Sequence, residues 1–128
     1  DRMSHASLLA LGLVMLIAAD LVLAAATTLW PLLGGVALWG LHMGMTQGLL
    51  ATMVADTAPP DLRGTAYGFF NLVSGVAMLA ASGLAGWLWD QHGPQTSFHA
   101  GAVYAFIALL GLTVRWRHLA GDPKPRLR

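Results

Sequence analysis

Four long runs of the chain are almost free of charge, and no other feature restricts its folding so strongly. They cover residues 6–26, 30–55, 65–89 and 98–114, and the only Asp, Glu, Lys or Arg inside them is Asp20. A bilayer core needs about 20 apolar residues of helix, with a range of roughly 17 to 25. All four runs meet that length, the last at its lower limit. A helix in a soluble bundle needs a charged face, and none of these has one. The whole sequence is 10% charged and 56% hydrophobic, where an ordinary soluble domain is roughly a quarter charged. The expected fold is therefore an all-α integral membrane protein with four transmembrane helices in residues 1–114, followed by a basic tail in residues 115–128.

The distribution of charge adds an orientation. The Lys and Arg residues are Arg2, Arg63, Arg115, Arg117, Lys124, Arg126 and Arg128. Each lies before the first run, between the second and third, or after the fourth. The connections near residues 27–29 and 90–97 carry none. By the positive-inside rule, both ends of the chain and the Pro59-Pro60 turn are expected to be cytoplasmic. The tail G-D-P-K-P-R-L-R is expected to lie near anionic headgroups, each basic residue contributing about 1 kcal/mol. The chain opens at Asp1 rather than at Met, so it is expected to begin partway through a longer protein. A signal peptide ending near Ala24-Ala25-Ala26 is the weaker reading, because the residues after Met3 are not basic and Asp20 interrupts the run.

Chemistry of other kinds finds no support. Without cysteine there is no disulfide and no thiolate metal site. His92 and His99 are not at metal-ligand spacing with a clustered carboxylate and read as surface residues. No nucleophile–base pair, phosphate loop or nucleic-acid patch is present, and Ser74 and Ser82 have no histidine at usable spacing. The sequence predicts neither an enzyme nor a cofactor.

Small residues mark two of the helices. In the second run Gly40, Gly44 and Gly48 recur at intervals of four, with Ala51 and Ala55 on the same line. In the third, Gly64, Gly68, Asn71, Gly75, Ser82 and Gly86 fall within about 40° of one line at 100° per residue. The opposite side of the third run holds Phe69, Phe70, Val73, Val76, Leu84 and Trp87. A small-residue stripe backed by bulky groups describes a helix that meets another helix on one face and lipid on the other.

Polar residues inside the runs are the functional candidates. Opposite the glycines of the second run lie Trp39, His42, Thr46 and Met53, with Gln47 on the flank. They read either as the lining of a cavity or as structural glue, with Thr46 bonding back to its own helix and Gln47 bonding to a neighbouring one. Asp20 is four to six residues from the outer end of its run, roughly 6–9 Å at 1.5 Å per residue. Its helical neighbours Leu9, Leu13 and Leu16 form no polar pathway, so it is expected to reach the interface rather than to couple an ion. Trp30, Trp87 and Trp89 suit an outer aromatic belt, with residues 90–97 as an outer loop. At the cytoplasmic turn Asp61 is expected to cap the third helix. Asp56 sits at the negative end of a helix dipole, which calls for a cation, and Arg63 is the nearest.

The stretch D-T-A-P-P-D-L-R-G-T-A-Y-G-F-F-N resembles the cytoplasmic connection between the tenth and eleventh helices of the major facilitator superfamily. The typical form there is A-D-x-x-P-x-x-x-R-G-x-x-x-G-x-x-N. Ala55, Asp56, Pro59, Arg63, Gly64, Gly68 and Asn71 match it, and Gly83 or Gly86 with Asp90 and Gly93 match the outer end that follows. Asp1-Arg2 resembles the tail of the family's D-R-x-G-R motif, although Ser4 and His5 stand where Gly and Arg are usual. The resemblance covers the whole chain as helices nine to twelve of a twelve-helix transporter of the bacterial cytoplasmic membrane. It implies that the tenth helix lines the central cavity and that the eleventh packs against the other half, while the ninth and twelfth are peripheral. Trp39, His42, Met43, Thr46 and Gln47 then become candidate cavity residues, and Asp1, Arg2, Asp56, Arg63 and Gly64 a cytoplasmic charge motif. The implied partners are the bilayer, the preceding helices and a small-molecule substrate. His42 is the mid-membrane candidate for a coupling proton. The alternative class is a four-helix membrane scaffold or assembly subunit without transport, which the upstream coding sequence distinguishes.

Overall fold

A computed structural model describes residues 5–120, with side chains through residue 115. Asp1, Arg2 and most of the basic tail lie outside the described residues. The described chain forms four helices: α1 (His5–Ala25), α2 (Leu29–Thr57), α3 (Arg63–His92) and α4 (Pro94–Ala120), with a 3₁₀ turn at Pro60–Leu62 between α2 and α3. Three segments, His5–Ala25, Pro60–His92 and Pro94–Arg115, are long and apolar enough to cross a membrane. The second expected span differs. At 29 residues α2 is long enough, roughly 43 Å at 1.5 Å per residue. Its polar residues, His42, Thr46 and Gln47, fall mid-helix and dilute the apolar stretch.

Two connections are tighter than expected. The outer loop predicted over residues 90–97 is reduced to Gly93, because α3 runs to His92 and α4 starts at Pro94. Gly93 has φ 84°, a left-handed conformation that a side chain disfavours. Its N–H still donates to Trp89 O at 2.9 Å, closing α3. Pro94 needs no N–H partner at a first helical position, so the new helix starts at once. At the other turn Ala58 N–H donates to Val54 O at 3.1 Å and Leu62 N–H to Pro59 O at 2.9 Å. Asp61 therefore lies inside the 3₁₀ turn and does not cap α3. The N-cap position is Leu62, with no side-chain cap bond. Two consecutive prolines make the chain complete a tight turn before α3 can begin.

Helix α1 is the hub and packs along both α2 and α4. Against α2 it sets Gly12 opposite Thr46 and Leu23 opposite Gly35, an antiparallel register held over twelve residues of each helix. The buried apolar residues are small or compact: Ala19, Leu23 and Ala24 of α1, and Ala102 and Ala105 of α4. Helix α3 buries no residue. It is pinned near one end by Tyr67, whose hydroxyl donates to Ala51 O of α2 at 2.7 Å. Near the other end Ser97 Oγ of α4 donates to Ala85 O at 2.9 Å. Phe69, Val73, Val76 and Leu79 remain exposed along α3. That is unremarkable for a helix in lipid, where acyl chains are as apolar as the side chains they touch.

Candidate functional site

The polar groups of α1 and α2 meet in one seam. His42 Nδ1 lies 2.7 Å from Gly12 O across the two helices. Gly12 must be glycine for this approach, since a Cβ there would stand 2.5 Å from Thr46 Cγ2 and 3.6 Å from His42 Nδ1. Thr46 is buried, and its hydroxyl donates to His42 O at 2.9 Å. Its hydroxyl is thus satisfied inside α2 while its methyl fills the space against α1.

Asp20 differs from its sequence reading. It does not reach out to the interface but is 7% exposed, folded beneath α4. A Cβ at Gly101 would lie 2.7 Å from its Oδ2. The missing side chain at position 101 leaves a space that the carboxylate occupies, and a carboxylate so placed no longer extends toward the membrane surface. Asp20 thus packs against Gly101 of α4, while His42 and Thr46 of α2 pack against Gly12 farther along α1.

The five candidate cavity residues do not share one surface. His42 and Thr46 turn toward α1. Trp39 is 46% exposed and Gln47 is exposed, its Nε2 3.9 Å from Met43 Sδ in the same helix, while Met43 is half-buried. Around the helix Gln47 lies about 20° from Gly40 at 100° per residue, so it belongs to the glycine side.

The glycine stripes themselves meet nothing among the described residues. A Cβ at Gly40, Gly44 or Gly48 of α2, or at Gly64, Gly68, Gly75 or Gly86 of α3, would find no atom within 4 Å. Asn71 and Ser82 on the same line are exposed. Close approach within this chain falls instead to Gly12, Gly35 and Gly101. Sequence spacing drew attention to regular glycine series, and Gly12 and Gly35 belong to none. The sequence does not single out Tyr67 or Ser97 either. Each is an isolated hydroxyl near a helix end, the one signal they offered.

Asp56 and Arg63 are both exposed, and among the described residues neither is in an ion pair. Beside them, a cleft of about 790 Å³ opens between the end of α2 and the start of α3, lined by Met53, Thr57, Pro59, Leu62, Phe69 and Val73 among others. A second, of about 450 Å³, lies between α3 and α4 near Leu84, Leu88, Ser97 and Tyr104. Among the described residues no group of three His, Cys, Asp or Glu is placed to hold a metal.

Long apolar helices, an exposed apolar exterior and polar groups gathered in helix seams define a multi-pass α-helical membrane protein. The chain belongs to the Major Facilitator Superfamily, whose profile matches residues 1–128. It is similar to the uncharacterized MFS-type transporter MJ1317 of Methanocaldococcus jannaschii, at 38% identity over 72 residues, which are 56% of this chain and 18% of the relative. It is also similar to the inner membrane transport protein YajR of Escherichia coli, at 28% identity over 96 residues, 74% of this chain and 21% of the relative. A third likeness is to the uncharacterized protein Rv2265 of Mycobacterium tuberculosis, 36% identical over 56 residues, 44% of this chain and 14% of that protein. These matches span about a fifth or less of the relatives' own length. No solved structure matches the chain.

Proposed function

We propose that this chain forms helices nine to twelve of a twelve-helix secondary transporter that moves a small solute across a bacterial cytoplasmic membrane by alternating access. The observation that carries this reading is the pair of glycine stripes on α2 and α3 that meet nothing within 4 Å. Small-residue faces in membrane helices serve close contact with another helix or an open pathway. A self-contained four-helix scaffold would turn such faces inward, where here α1 packs through Gly12, Gly35 and Gly101 instead. Length supports the same reading. Seventy-two residues are 18% of the Methanocaldococcus relative, so that protein has about 400 residues. The 128 residues of this chain are about a third of that, as four helices are of twelve.

In this reading the α2 glycine side, with Gln47 and Met43, faces the solute pathway, and Trp39 borders it. His42 and Thr46 hold α2 against α1. The stripe on α3 meets the other half of the transporter. Absence of cysteine makes the test direct. Single substitutions Gln47→Cys, Gly48→Cys and Phe69→Cys are introduced into the full-length protein, freed of any other cysteine, in intact membranes. A water-soluble maleimide should label positions 47 and 48 and leave position 69 unmodified. Failure to label both 47 and 48 would remove α2 from the solute pathway.

A further inference from the structure

The two clefts open on one face of α3. Phe69, Phe70 and Val73 line the cleft toward α2, and Ala81, Leu84 and Leu88 the cleft toward α4. At 100° per residue these six fall within about 60° of a line opposite Gly64, Gly68 and Gly75. This is the bulky side of the helix, yet it meets α2 and α4 across gaps instead of packing on them. Helices α1 and α3 make no contact, and α3 buries no residue. Thus α3 stands off from α1, held near its ends by Tyr67 and Ser97, with a cleft beside each bond.

Two features of the α3–α4 cleft define the chemistry that fits it. Its walls are low: Ala80, Ala81 and Ala85 on α3 oppose Ala100 and Gly101 on α4. Small residues on facing helices admit the ridge of a third helix, because its backbone can come close. The second feature is Tyr104. It lies about 15 Å along α4 from Pro94, inside a hydrocarbon core of roughly 30 Å. Its side chain lines the cleft and is 59% exposed, and among the described residues its hydroxyl has no hydrogen bond. Acyl chains carry no acceptor there, so lipid in the cleft leaves that hydroxyl unsatisfied at a cost. A helix supplies one. Tyr67 shows the form of such a bond, its hydroxyl donating to the backbone carbonyl of Ala51 on the neighbouring helix at 2.7 Å.

We propose that one further transmembrane helix of the same polypeptide lies along this face of α3, filling both clefts and accepting a hydrogen bond from Tyr104. The proposal rests on the transporter reading, in which a protein as long as the Methanocaldococcus relative has about 270 residues besides these 128. The clefts extend along α3 from Thr65 to Leu88, roughly 35 Å at 1.5 Å per residue, which is one crossing of the bilayer. The occupant is apolar, with a small residue opposite Tyr104 so that a backbone or side-chain oxygen comes within reach of the hydroxyl. Helix α3 is then enclosed by protein on two sides, at its glycine stripe and at the bulky face behind it.

The test is photocrosslinking of the full-length protein in intact membranes. A benzophenone-bearing amino acid replaces Phe69 or Leu84, one in each cleft, and the adducts are identified by mass spectrometry. Both positions should crosslink to one preceding helix of the same polypeptide, at sites about 15 residues apart. Adducts with phospholipid, with a second copy of the chain or with two different helices overturn the proposal. A second measurement adds no bulk to the clefts. The ultraviolet Raman difference between the parent and Tyr104→Phe isolates the Tyr104 hydroxyl, which should carry the signature of a hydrogen-bond donor. A free hydroxyl also overturns the proposal. The maleimide experiment judges the transporter reading separately. Labelled positions 47 and 48 with lipid adducts at 69 and 84 sink the helix seat alone. Crosslinks to a preceding helix without that labelling keep the seat and remove the solute pathway.

Discussion

At the scale of single residues, three glycines decide how this bundle holds together. Gly12, Gly35 and Gly101 each face a side chain that a Cβ would strike, from Thr46, Leu23 and Asp20 respectively. Thr46 cannot swing away cheaply, because its hydroxyl is bonded to His42 O and a β-branched side chain has few rotamers in a helix. Gly12→Ala in the full-length protein should therefore cost about 1–3 kcal/mol, as overpacking does. It should also disturb the His42–Gly12 contact. Gly34→Ala meets open space and should match the parent, or gain up to about 1 kcal/mol from helix propensity. Thermal unfolding curves that rank the two variants equally would refute this. Little of this was legible in advance. A lone glycine in an apolar run gives no clue to what faces it, and nothing local to Asp20 indicates that α4 covers it.

At the scale of elements, α3 is attached at its ends rather than along its length. Tyr67 ties it to α2, Ser97 ties it to α4, and Gly93 turns the chain between α3 and α4. Tyr67→Phe should cost about 0.5–1.5 kcal/mol, the net worth of one hydrogen bond. Gly93→Ala should cost roughly 1–2 kcal/mol, because a side chain disfavours φ 84°. Both are read from denaturation midpoints, and values indistinguishable from the parent would show that α3 is held by other contacts. If the α3 stripe meets the other half of a transporter, Gly68→Leu and Gly75→Leu should lower the yield of folded full-length protein more than Phe70→Leu does. Equal yields would leave that stripe without a packing role. The helices themselves were largely legible, since hydropathy and turn residues act locally. The start of α4 is not legible in the sequence, because glutamine, threonine and serine suit a loop or a first helical turn equally well.

At the scale of the whole molecule, the positions of the charges lead to predictions of orientation and switching. A reporter active only outside the cytoplasm should work when fused after Gly93 and be silent after Arg117. The reverse pattern would overturn the orientation drawn from the basic residues. Asp56 and Arg63 are each placed unfavourably against their own helix dipoles, and both are exposed and outside any ion pair among the described residues. If they pair in another transport state, Arg63→Ala and Asp56→Asn should each slow transport more than they weaken solute binding. The double variant should be less impaired than the two losses combined, whereas strict additivity would show that the two charges do not interact.

The sequence by itself determined the class of protein, the number of helices, the bias of charge among the connections and the family. Each of these is a sum over a local window or a short motif, so it survives ignorance of which helix touches which. Only the tertiary structure decided that His42 and Thr46 face α1 rather than share a surface with Gln47. It alone showed Asp20 beneath Gly101 and the regular glycine stripes left open. In a membrane helix a small or polar residue suits a helix contact, a solute pathway or a buried pair equally well, since lipid provides no polar face to tell them apart. The register between α1, α2 and α4 makes that choice, and register is a property of the packed helices together.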